Sequence, residues 1–268
     1  MKKTIALLLA LVMTFALFVT GCGQSEDKPA DDTKKTFTVG FDAEYPPYGY
    51  MDEETNDYTG FDLELAQAVC DIEGWELVKT PINWDTKDDT LNAGEIDVIW
   101  NGFTMTGRES EYQWSNAYVD NSQVIVTSKT VGITKLEELK GKIVGVQQGS
   151  AALALFEDEG DQVELAATFG DLQQFADYNT AFTELESGAI EALAIDIGVA
   201  QYQIKSRGDA FYILDEELST EQYAVGAKLG NTELIDIINK DLKTLYDNGT
   251  VQKLAEKYDI ATMIIPQK

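Results

Sequence analysis

Leu91-Asn92-Ala93-Gly94-Glu95-Ile96-Asp97-Val98-Ile99-Trp100 is the stretch that decides the fold, because the chain returns to the same design at Leu185-Glu186-Ser187-Gly188-Ala189-Ile190-Glu191-Ala192-Leu193-Ala194-Ile195. In each, a helical pattern ends at a Gly suited to the left-handed position just past a helix terminus. A short apolar run follows, of the kind expected of a buried strand. Two such units imply two lobes of related build. Helix-Gly-strand is also a common connection, so the echo alone leaves a single larger sheet open.

Outward from these units the pattern continues. Strands are expected at 37–41, 76–79, 96–100, 123–127, 142–147, 163–167, 190–195 and 223–227, and helices at 61–73, 86–93, 136–140, 151–159, 178–187, 197–206 and 232–247. This alternation predicts α/β layers with largely parallel sheets.

Composition narrows the chemistry. The chain has 268 residues, 47 Asp and Glu against 20 Lys and Arg, no His and two Cys. A net charge of −27 argues against nucleic acid, which is held mainly by Lys and Arg on phosphates. Without His, the usual Ser-His-Asp and Cys-His nucleophiles are excluded. With so few Cys as well, ordinary zinc sites are excluded, and no metal or other cofactor is expected. A binding protein remains, or an enzyme working with carboxylates, Lys or Ser alone.

The N-terminus has a charged start at Lys2 and Lys3 and an apolar run from Ile5 to Val19, too short for a comfortable membrane span. Residues 1–21 are expected to be a signal peptide. Val19-Thr20-Gly21-Cys22 resembles a bacterial lipobox, which implies lipidation of Cys22. Residues 22–35, polar and rich in Gly, Ser, Pro, Asp and Lys, read as a flexible tether. Cys70, then the remaining thiol, is expected to be a buried core residue.

In α/β sheets ligands gather beyond the carboxyl ends of strands. After Trp100 come Asn101-Gly102-Phe103-Thr104-Met105-Thr106-Gly107-Arg108, and after Ile195 comes Asp196. One lobe thus presents a cation with small polar donors, and the other an anion. Facing each other they would match a zwitterion, Arg108 on a carboxylate and Asp196 on an ammonium. Arg108 is one of only two arginines, with Arg207. In a chain that otherwise uses Lys, that choice suits bidentate geometry. Asp196 could equally be a helix N-cap. Gly149 and Ser150, between a strand and a helix, offer N–H groups and a hydroxyl to an anion. Tyr45 and Trp84 could form aromatic walls for an apolar stem.

Phe41-Asp42-Ala43-Glu44-Tyr45-Pro46-Pro47-Tyr48, Gly60-Phe61-Asp62-Leu63-Glu64-Leu65, Asn101 through Arg108, Gly141 through Val146 with Gly149-Ser150, and Asp247-Asn248-Gly249-Thr250 through Lys257-Tyr258 together resemble the polar amino acid-binding proteins of ABC importers, solute-binding protein family 3. The resemblance implies an α/β, two-lobe, periplasmic-binding-protein-like (type II) fold with a central ligand cleft. Its two crossover strands would lie near 119–124 and 220–225. Lobe 1 would comprise 36–121 plus 224–268, and lobe 2 residues 122–223. Carried over, Arg108 takes the ligand α-carboxylate with Gly102, Thr104, Gly149 and Ser150, and Asp196 takes the α-ammonium. Tyr45 and Trp84 flank the side chain, with Asp42 and Asn101 near its polar end. Ala151, Gly107 and Ile195 depart from residues common in the family and leave the identity of that side chain open.

The expected function is capture of an L-amino acid by lobe closure and delivery to an ABC transporter permease, by a monomer anchored through lipid alone to the outer face of a bacterial cytoplasmic membrane. Asp42 and Glu44 disfavour an acidic side chain and point to a neutral polar, basic or sulfur-containing ligand. The alternative is a lyase-type enzyme on the same fold acting on a small carboxylate, with Asp42 or Glu44 as its acid or base.

Overall fold

The computed structural model describes residues 34–267. The expected signal peptide, the lipidation site Cys22 and nearly all of the tether lie outside the described residues. Among those described, no helix is long and apolar enough to cross a membrane.

Two sheets organise the chain. The first has strands in the order Glu76–Pro81, Thr36–Phe41, Val98–Ile99, Gly226–Ala227 and Gln113–Trp114. Its first three strands are parallel, and the last two run antiparallel to their neighbours. The second has the order Asp171–Phe175, Ile143–Gln147, Ala192–Asp196, Val119–Ser128 and Phe211–Ile213, with Ser219–Tyr223 also pairing to Val119–Ser128. Here again three strands are parallel and the rest antiparallel. Both sheets are therefore mixed rather than largely parallel. A small antiparallel sheet, Glu44–Tyr45, Gly49–Asp52 and Asp57–Thr59, follows the first strand.

Two strands carry the chain between the sheets. Val119–Ser128 leaves the first sheet after Gln113–Trp114, and Ser219–Tyr223 returns to Gly226–Ala227. They pair antiparallel from Val119 opposite Tyr223 to Gln123 opposite Ser219. These are the expected crossovers, and the architecture is the two-lobe fold.

The echoed units fold as their sequence predicts. The helices Lys87–Ala93 and Tyr178–Ser187 end at Gly94 and Gly188, with φ of 77° and 79°. A Cβ at either position would meet nothing within 4 Å, so the demand for Gly is conformational. Gly188→Ala is expected to lower stability by about 1 kcal/mol, the cost of placing an L side chain at positive φ. Thermal unfolding should show this as a drop of about 2–4 °C; an unchanged midpoint would mean the turn relaxes freely.

Packing follows the two periods. Helix Phe61–Glu73 buries Phe61, Leu63, Leu65, Ala66, Val69 and Cys70, so Cys70 is a free core thiol. Strand Ala192–Asp196 alternates: Leu193 and Ile195 face the larger core, while Ala192 and Ala194 face a second core with Val144, Val146, Leu153 and Phe156.

One expected strand is a helix. Val163–Ala166 forms a single helical turn with no buried residue, and Val163 is 39% exposed. The strand beside Ile143–Gln147 is instead Asp171–Phe175, a polar edge strand with no fully buried residue. An edge strand needs no apolar alternation, so its sequence carried no strand signal.

Candidate functional site

The strand ends converge as an α/β sheet dictates. Asp42 follows Thr36–Phe41, Asn101 and Gly102 follow Val98–Ile99, Gln147 ends Ile143–Gln147, and Asp196 ends Ala192–Asp196. All ten expected ligand-binding residues lie in this one region between the sheets.

At one corner stand two cations. The Arg108 Nη2 donates to the Gly149 carbonyl at 3.4 Å, and its guanidinium carbon lies 5.6 Å from the Phe103 ring centre. The Lys87 ammonium donates to the same carbonyl at 3.2 Å. Among the described residues neither pairs with a carboxylate within 4.0 Å. Arg207, by contrast, is tied down by Gln203 and Glu186. Ser150 caps the next helix, its Oγ accepting the Leu153 N–H. Gly149 takes φ of 63° to turn its backbone into the corner.

The second centre is acidic. Asp196 is 3% exposed, and its side chain makes no cap hydrogen bond to the helix it precedes. Its Oδ1 instead accepts from the Asn121 amide at 2.8 Å, the Gln123 amide at 2.7 Å and the Tyr223 hydroxyl at 2.6 Å. The cap explanation therefore fails, and the carboxylate is held instead by donors of the two crossover strands. Beside it Glu221 Oε1 accepts from Asn121, Gln123 and the Thr104 hydroxyl. Burial, reinforced by the Asp196 charge, pushes the Glu221 carboxyl up to about 7.

A third centre lies at Asp42. It accepts from the Glu44 N–H at 2.8 Å and from the Gln147 amide, across the cleft, at 2.6 Å. Burial pushes its carboxyl up to about 6. Asn101 Oδ1 accepts the Asp42 N–H, leaving a buried Nδ2 without a partner. Gln147 Oε1, Tyr48 OH and Tyr178 OH are buried without partners in the same region. Such unpartnered polar atoms are uncommon in native proteins.

Aromatic rings line the space between. Tyr45 and Trp84 are stacked with centroids 6.5 Å apart and planes 15° apart, and Tyr178 lies 5.9 Å from Tyr45. Gly102 has φ of 54°, and a Cβ there would come within 2.9 Å of Tyr45 and 3.0 Å of Tyr223. The Gly102 N–H is held from behind by Asp62, which is fully buried and pushed up to about 7 by that burial.

Lys87, Asn121, Gln123, Gln147, Tyr178, Glu221 and Tyr223 were not among the residues expected from sequence. Asn121, Gln123, Glu221 and Tyr223 sit on the crossovers, which were expected as connecting strands with no ligand contact assigned to their side chains. Lys87 is one of many lysines on acidic helices. Gln147 alone had a signal, as the last residue of an expected strand running into Gly149-Ser150.

Geometrically the cleft offers cations at one corner, two carboxylates on the crossover side, and a third carboxylate beyond stacked rings. The sequence model for bacterial extracellular solute-binding proteins, family 3, matches residues 37–260. The arginine-binding extracellular protein ArtP of Bacillus subtilis is 33% identical over 96% of this chain and 98% of its own length. An ABC uptake transporter substrate binding protein from Streptococcus pneumoniae, solved with bound histidine, is 34% identical with a TM-score of 0.80, covering 85% of this chain and 94% of that one. An ancestral arginine-binding protein bound to glutamine is 34% identical with a TM-score of 0.75, covering 84% and 98%. On its fold, its cleft and these likenesses, the chain belongs to the bacterial extracellular solute-binding proteins of family 3, the amino acid-binding components of ABC transporters.

Proposed function

We propose that this protein captures an L-amino acid with a cationic side chain, arginine foremost, by closing residues 122–223 onto 36–121 plus 224–268, and hands it to an ABC transporter permease. The observation that carries this reading is the charge inventory of the cleft. Three buried carboxylates, Asp42, Asp196 and Glu221, face two cations, Arg108 and Lys87. The complement of that excess is a zwitterion with one further positive charge. Arg108 takes the α-carboxylate with Gly102, Thr104, Gly149 and Ser150 around it, and Asp196 takes the α-ammonium. The side chain passes the stacked Tyr45 and Trp84 rings and ends against Asp42 and Asn101. The B. subtilis relative's arginine and the S. pneumoniae relative's histidine fit the same inventory. Stacked rings suit the flat face of a guanidinium or imidazolium.

The anchor is proposed from sequence alone: a lipid on Cys22 would hold a monomer at the outer face of the cytoplasmic membrane. On this reading the protein binds its ligand without transforming it. The lyase-type alternative draws on Asp42, a buried carboxyl that carries a proton up to about pH 6.

The experiment is a thermal-shift screen of the protein, unfolded and refolded to strip bound ligand, against the twenty L-amino acids and cystine. Ligand at a hundred times its Kd adds about 2.7 kcal/mol, or about 5–10 °C for a chain of this size. Arginine, with lysine or histidine behind it, should give that shift. A response led by a neutral or acidic amino acid overturns the cationic reading. A flat panel from folded protein overturns amino-acid capture. Chemical change in any stabilising ligand, followed by NMR, would establish the enzyme instead.

A further inference from the structure

We propose that Lys87 contacts the ligand directly: its ammonium joins the Arg108 guanidinium on the α-carboxylate, so that the captured anion sits between two cations. The inference rests on the amino-acid reading above and deepens it.

Lys87 opens the helix Lys87–Ala93 and is 5% exposed. Lysine is seldom buried unless paired. Among the described residues its Nζ donates only to two backbone carbonyls, Gly149 at 3.2 Å and Trp84 at 3.4 Å, and lies 5.4 Å from the Trp84 ring centre. Arg108 donates to the same Gly149 carbonyl at 3.4 Å. Two positive groups from one lobe thus converge on a single neutral oxygen of the other. A carbonyl can accept both hydrogen bonds, but as a neutral group it cannot balance two charges, one of them on the buried Lys87. Burial, and then the Arg108 charge, hold the Lys87 ammonium below its ordinary range, as expected of a cation awaiting an anion.

The acids that face it do not meet the need. Asp85 and Asp88 flank it on its own turn and Glu111 faces it from the loop beyond Arg108. None is within 4.0 Å, and Asp88 accepts the Tyr112 hydroxyl instead. A ligand carboxylate entering between Lys87 and Arg108 would satisfy both.

Another role for the same geometry is a clasp, with Lys87 merely holding the lobes shut through Gly149. The two differ in selectivity. A clasp scales the affinity of every ligand alike, whereas a carboxylate contact discriminates by ligand charge at that end.

The test measures Kd for L-arginine, and for L-argininamide by displacement of labelled arginine, with the wild-type protein, Lys87→Met and Lys87→Arg at pH 7.5. Met keeps the stem without the charge, and ligand-free melting temperatures confirm that the variants fold. Lys87→Met should weaken arginine tenfold or more, and Lys87→Arg should stay within threefold of wild type. The preference for arginine over the amide should fall at least fivefold in Lys87→Met. Equal losses for both ligands make Lys87 a clasp and overturn the proposal, as does full-strength arginine binding by Lys87→Met. A wild-type protein that saturates with no L-amino acid overturns the amino-acid reading, and this inference with it.

Discussion

Arg108→Ala is expected to weaken capture of L-arginine by thirtyfold or more. Truncating one partner of a buried, hydrogen-bonded charge pair costs on the order of 2–5 kcal/mol, and each 1.4 kcal/mol is about tenfold in Kd. Arg108 is spared a structural burden that would blur the result. Among the described residues it pairs with no carboxylate, and its one side-chain hydrogen bond is a long one to Gly149. Its backbone, which accepts the Trp114 indole N–H, is untouched by the substitution. Removing the guanidinium therefore leaves the first lobe intact and deletes the planar fork that a carboxylate needs. Arg207→Ala is the matched control. Arg207 is held by Gln203 and Glu186 outside the cleft, and its loss should leave Kd within twofold. Calorimetric titration of ligand-free protein decides the matter; an Arg108→Ala variant that binds within threefold of wild type sinks the assignment.

That Arg108 could be singled out from sequence, while Glu221 could not, has a physical reason. Arg108 stood out because the chain otherwise uses Lys, and because it follows a buried strand whose apolar run is plain. Glu221 lies in Ser219–Tyr223, a crossover strand of mostly polar residues. Such a strand is stabilised by its pairing to Val119–Ser128, a contact made with residues about a hundred positions earlier. No local pattern announces it. Asp171–Phe175 was missed for a related reason, since an edge strand can stay half-exposed. Gly94 and Gly188 were legible because a left-handed turn imposes its own residue. Asp196 shows the limit of local reading: strand-Asp-helix fits a cap and a ligand contact equally. Only the absence of a cap hydrogen bond, with three donors arriving from the crossovers, separates them.

Those donors tie Asp196 and Glu221 together, and the consequence is a pH dependence of opposite sign with and without ligand. In the ligand-free protein Asp42, Asp62 and Glu221 hold their protons up to about 6, 7 and 7, while the unfolded carboxyls release theirs near 4. The native state therefore binds more protons across that window. Its stability is fullest below about pH 4 with respect to these groups and is lost as pH rises through 6 and 7. A cationic ligand reverses the sense. Its ammonium favours ionised Glu221 beside Asp196, and its side chain favours ionised Asp42, so binding expels protons wherever these groups are still protonated. Affinity for L-arginine should rise tenfold or more from pH 5 to 7.5, while the ligand-free melting temperature falls over the same range. Glu221→Gln, which keeps the amide network but cannot ionise, should flatten the upper part of the affinity profile and leave the Asp42 limb near pH 6. An arginine affinity independent of pH in the wild-type protein would show that these carboxylates do not meet the ligand's positive charges.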